Sequence, residues 1–72
     1  MMFSMPVYEA RYNDHLKWKE ISEIDLMEGL SRTYARVAPV IQQLLEGQHI
    51  HTPEAVYRLK GMSMYDQGFM VL

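Results

Sequence analysis

Apolar and polar positions alternate along the first part of the chain. In the stretch PVYEARY, Tyr8, Ala10 and Tyr12 fall on one side and Val7, Glu9 and Arg11 on the other, the period of two expected of a strand with one wet face. Asn13-Asp14 supplies a turn, because both residues tolerate left-handed backbone and can bond their own main chain. Alternation resumes in HLKWKEI, where Leu16 and Trp18 face away from Lys17 and Lys19. The pattern predicts an N-terminal β-hairpin with strands near 6–12 and 15–20.

The period then changes. Met27, Leu30, Tyr34, Val37, Ile41 and Leu44 recur at steps of three and four, which lines one face of a helix. Ser22 with Asp25 three residues on resembles a capping box, and Glu23, Asp25 and Glu28 crowd the positive end of the helix dipole, so the helix is predicted to start near 23. Pro39 interrupts the run at a cost of about 3 kcal/mol or more for an interior proline. It can also open a second helix at 39, where its missing N–H costs nothing. The apolar stripe keeps its phase through Pro39, which favours one long kinked central helix ended by Gly47.

Beyond the connection QHIH, Thr52 has the character of an N-cap, Pro53 of a first helical residue and Gly61 of a stop. These signals predict a short second helix to about Lys60, with Ala55, Val56, Tyr57 and Leu59 on its buried side. The tail MSMYDQGFMVL carries a turn at 66–68 and then four apolar residues that suit a short C-terminal strand. The fold class expected is α+β: a β-hairpin, a long central helix, a short second helix and a C-terminal strand, in a single small domain over 1–72.

Composition narrows the function classes. A 72-residue domain buries only about 60% of the surface of its unfolded chain, so help from self-association or a partner is expected. The chain has no cysteine, which removes disulfides, thiolate metal sites and cysteine nucleophiles and fits a cytoplasmic setting. Seven basic residues against nine acidic ones give a net charge of -2, so nucleic acid or an anionic membrane is not attracted by the chain as a whole. No apolar run approaches the roughly 20 residues of a membrane span, and the opening residues lack the pattern of a secretory signal.

Candidate chemistry is sparse. His49-x-His51 offers two imidazoles where a structural zinc site usually wants four ligands, so no metal is expected. Ser31, Thr33 and Ser63 have no base nearby in sequence, the glycines punctuate helices and turns without forming a phosphate loop, and so short a chain has little room for a pocket; no enzyme, cofactor or small-molecule substrate is expected. A helix-turn-helix reading is open for 39–61, with His51, Thr52, Arg58 and Lys60 as contacts to DNA. Against it stand Glu54 at the start of the reading helix and the net negative charge.

The aromatic residues and methionines carry more. Five tyrosines, one tryptophan, two phenylalanines and seven methionines are many for this length, and most suit core filling. Tyrosine, tryptophan, methionine and arginine are also the residues enriched where proteins meet. The reading preferred from sequence is a non-enzymatic interaction or regulatory module that binds a protein partner or its own copy. Trp18, Tyr57, Met62, Met64 and Tyr65 are the candidate anchors, with Arg32 and Arg36 as orienting charges.

Overall fold

The structure is a computed structural model and describes residues 2–14 and 17–66. Its elements follow in the order β1 (Met2–Tyr12), β2 (Lys19–Ile21), α1 (Glu23–Ser31), α2 (Ala38–Leu45), β3 (Ile50–His51) and β4 (Ala55–Asp66). The strands form one antiparallel sheet in the order β2-β1-β4-β3. Both helices pack on the same side of it, so the class is α+β.

Several expected elements differ. The N-terminal element is a long strand, not a hairpin: β1 pairs along its whole length with β4, while β2 pairs only with Tyr8–Ala10. The alternation seen in sequence identifies a strand but cannot name its partner, and the partner is more than forty residues away. The single long kinked helix is two separate helices. Arg32 ends α1 after nine residues, and Pro39 lies in the first turn of α2, where its missing N–H has no intrahelical acceptor to lose. The buried phase also shifts, since α1 buries Leu26 and Leu30 while Met27 is exposed.

The expected short helix over 53–60 is a strand, the first half of β4. Thr52 is at the root of the misreading. Its hydroxyl accepts from the Ala55 N–H at 3.1 Å, the same three-residue bond an N-cap makes, but it also donates to the Ala55 carbonyl at 2.9 Å. The Thr52 N–H donates to that carbonyl at 2.8 Å, closing a tight turn between β3 and β4. The expected C-terminal strand at 69–72 lies outside the described residues.

Local chemistry fixes the helix ends. The Ser22 hydroxyl accepts from the Asp25 N–H at 3.1 Å and starts α1. At the end of α2 the Gly47 N–H donates to Leu44 O and the Gln48 N–H to Gln43 O, a Schellman motif. It needs the left-handed backbone that Gly47 adopts, with φ of 92°.

The core lies between the helices and one end of the sheet. Tyr8 and Ala10 of β1, Ala55 and Tyr57 of β4 and Ile50 of β3 meet Leu26, Leu30, Val40 and Leu44 from the helices. Tyr12, Ile21, Tyr34, Val37, Ile41 and Leu59 pack around them. The β1–β4 pair continues well beyond this core. The longest dimension is 43 Å, and the radius of gyration is 13.7 Å. A compact chain of this length would have a radius of about 11 Å.

Candidate interaction surface

The bulge in β4 marks where the sheet leaves its helices. Tyr8 pairs with Leu59 but Val7 with Gly61, so Lys60 is the extra residue on β4. Such a bulge bends its strand and raises the local twist. Lys60 reaches sideways to β2, its Nζ 3.7 Å from Glu20 Oε2. Beyond it, Met2–Val7 pair with Gly61–Asp66 as a two-stranded ribbon. None of the residues 4–7 and 61–63 of that ribbon belongs to the core cluster.

The outer edge of the ribbon on β4 is not covered by β3 among the described residues. On the β1 side β2 stops at the partner of Tyr8, and on the β4 side β3 pairs only with Val56 and Tyr57. Unpaired edges present rows of N–H and C=O groups that template further pairing. The ribbon is also apolar at its surface: Met5 is 43% and Met62 54% exposed, and Pro6 and Val7 are half-buried. A two-stranded ribbon is marginally stable in water without something to pack on.

The sheet face opposite the helices is polar and differently built. Glu9 of β1 and Arg58 of β4 are register partners; Glu9 Oε1 accepts from Arg58 Nε at 2.9 Å and forms an ion pair with Nη2 at 2.9 Å. Trp18 lies over the pair, its ring centre 3.9 Å from the Arg58 guanidinium carbon and 5.1 Å from that of Arg11. The edge of His49 meets the same ring at 5.6 Å. This cover keeps Glu9 at 8% exposure despite its charge. On the helix side, burial pushes the phenols of Tyr8 and Tyr57 above the ordinary tyrosine range. Glu23 adds to the shift at Tyr8.

The residues singled out from sequence therefore fall into separate places. Met62 lies on the ribbon, and the backbones of Met64 and Tyr65 continue it opposite Ser4 and Phe3. Trp18 belongs to the polar face and Tyr57 to the core, only 3% exposed. Arg32 is held at the end of α1 by Glu28 at 3.3 Å and Glu54 at 3.2 Å, and Arg36 is exposed between the helices. Of the residues proposed for DNA, Thr52 is engaged in its turn, while His51, Arg58 and Lys60 lie on strands and not on a reading helix. Sequence reasoning missed the β1 half of the ribbon, Met5 to Val7, and Glu9. The only signal for the former is that methionines near both ends of the chain flank strand-like alternation.

An open cleft of about 840 Å³ lies beside Trp18, lined by Tyr12, Asn13, Asp14, Lys17, Lys19 and Glu54. It is larger than the chain length suggested. No group of three or more histidine or acidic side chains gathers in metal-binding range among the described residues. No helix among them is long and apolar enough to cross a membrane. No family model matches the chain, and no curated protein or solved structure matches it either.

Proposed function

We propose that this protein is a small non-enzymatic interaction module whose binding element is the β1–β4 ribbon, Met2–Val7 with Gly61–Asp66, and whose partner is a protein. The observation that carries this reading is the ribbon's extension past the core, with β3 leaving the outer edge of β4 beyond Tyr57 uncovered among the described residues. An extended segment added to such an edge gains main-chain hydrogen bonds, and the exposed methionines beside it adapt their shape to what they meet. The core end, with its helices, then acts as the scaffold that holds the ribbon out.

Affinity capture tests the proposal with the wild-type chain beside a Met5→Lys/Met62→Lys variant and a Met27→Lys variant. Met27 is exposed on α1, away from the ribbon. A protein retained by the wild type and by Met27→Lys, but lost with the ribbon variant, supports the reading. The same capture by all three chains removes the ribbon from the function.

A further inference from the structure

We infer that the cleft beside Trp18 binds a small planar anion, an aromatic ring bearing a phosphate or carboxylate. The ring lies against Trp18 and Tyr12, and the negative group is held by Lys17 and Lys19. This site stands apart from the ribbon and goes beyond the ribbon's role.

The cleft has the dimensions for such a ligand. At about 840 Å³ it matches small-molecule sites, which run from about 300 to 1,000 Å³. Tyr12 and Trp18 are both in its wall, and aromatic side chains offer a flat ring a large apolar contact in offset or edge-on packing.

Much of that wall is already ordered by other contacts. Tyr12 packs against the core cluster. Trp18 is half-buried, with the Arg58 guanidinium 3.9 Å from its ring centre and His49 at its edge. Asn13 donates to the Pro53 and Glu54 carbonyls, which ties the end of β1 to the turn that carries Glu54. Groups fixed in advance cost a ligand little to order, so contact with them is retained as affinity.

The charges around the cleft do not cancel. Of its acids, Glu54 is paired with Arg32 at 3.2 Å, and Asp14 has a contact of its own. Nearby, Glu9 is paired with Arg58 and Glu20 with Lys60. Lys17 and Lys19 line the cleft, are exposed, and have no carboxylate partner among the described residues. Arg11, 5.1 Å from the Trp18 ring centre, has none either. Three cations thus gather around one tryptophan while the acids beside them are engaged, which leaves a local field that favours an anion. Two exposed lysines alone hold a bare anion weakly, so it is the adjoining ring contact that makes the cleft a site.

Trp18 is the single tryptophan, so its indole N–H gives one proton resonance that reports on the cleft directly. The probes are adenosine monophosphate and phenyl phosphate, their neutral counterparts adenosine and phenol, and inorganic phosphate. We expect at least one of the two ring phosphates to move the indole signal saturably, about tenfold more tightly than its neutral counterpart, and inorganic phosphate to leave it in place. A Lys17→Gln/Lys19→Gln variant with unchanged circular dichroism should bind that ring phosphate no better than its neutral counterpart. Arg36→Gln, an exposed cation outside the cleft, should bind as the wild type does. If the double variant fails to fold, raising the salt on the wild type should weaken the ring phosphate and spare the neutral ring. The inference is overturned if neither ring phosphate shifts the signal saturably, or if charged and neutral rings bind alike. Binding that survives loss of both lysines, or inorganic phosphate that binds as tightly as the ring phosphates, overturns it as well.

Discussion

The phenol oxygen of Tyr57 occupies the space that a β-carbon on Gly29 would need. The ring carbon bearing it would stand 3.1 Å from that β-carbon, closer than ordinary contact. Gly29 thus lets α1 descend onto the sheet, and Tyr57 of β4 fills the gap. Because Tyr57 is in the core, its ring cannot swing aside cheaply. Gly29→Ala should therefore destabilise the protein by about 1–3 kcal/mol through overpacking, although alanine in a helix interior is favoured over glycine by about 1 kcal/mol. Removing the oxygen with Tyr57→Phe in that background should recover part of the loss. Urea unfolding of the two single variants and the double variant measures the coupling, and strict additivity would show that the contact is not the cause.

The pair of Glu9 and Arg58 gives a second test. Arg58→Ala leaves a carboxylate only 11% exposed without its partner and takes the cation from beneath Trp18, so a loss of about 2 kcal/mol or more is expected. Arg58→Lys should recover little, because a lysine lacks the planar fork that reaches Glu9 through two nitrogens and stacks on the ring. Glu9→Leu together with Arg58→Met, which removes both charges, should be closer to the wild type than either charge deletion alone. Chemical denaturation ranks the four chains, and a silent Arg58→Ala would reduce the pair to a surface contact.

The sequence made the α+β class legible through its changes of period, and Ser22 and Gly47 each marked a real helix end, whereas Pro39, read as a kink inside one long helix, lies in the first turn of a second one. Strand pairing was not legible. The segment 52–60 alternates as Ala55, Tyr57, Leu59 against Val56, Arg58, Lys60, yet its Thr-Pro-Glu start and Gly61 read as helix punctuation. Thr52 makes the same bond to the residue three ahead in either structure, so local chemistry could not choose. The choice is made by β1, whose Tyr8 and Ala10 bring a matching apolar face to Leu59 and Tyr57. The same non-local pairing builds the ribbon, and so Met62 and Met64 were noticed as residue types while Met5, Pro6 and Val7 were not seen to lie beside them.

Stability should fall in alkali before the arginines titrate. Tyr8 and Tyr57 both hold their protons more tightly when folded than the ordinary value of 10.0, chiefly because burial disfavours the phenolate. The unfolded chain consequently loses these protons first. Their stabilising contribution is complete below about pH 10 and is lost as pH rises through the folded values. Urea midpoints followed from neutral to strongly alkaline pH should decline above about pH 10, and the decline should be shallower in Tyr8→Phe and in Tyr57→Phe. An equal decline in the variants would assign the effect to other groups.

The turn between β3 and β4 should be sensitive to one hydroxyl. Thr52 Oγ1 both donates to the Ala55 carbonyl and accepts from the Ala55 N–H, and the turn is tied to the end of β1 by Asn13. There the Asn13 side-chain amide donates to the Pro53 carbonyl and its backbone N–H to the Glu54 carbonyl. Thr52→Val keeps the shape and removes both hydroxyl bonds, so a loss of about 1–2 kcal/mol is expected, whereas Thr52→Ser should stay near the wild type. Hydrogen exchange at the Ala55 amide is the direct readout, because that proton loses its acceptor in the valine variant and keeps it in the serine variant. Faster exchange in Thr52→Val alone identifies the hydroxyl as what fixes the entry of β4 and, through it, the register that carries Met62 out onto the ribbon. Equal exchange in both variants would leave the clamp from Asn13 as the element that sets that entry.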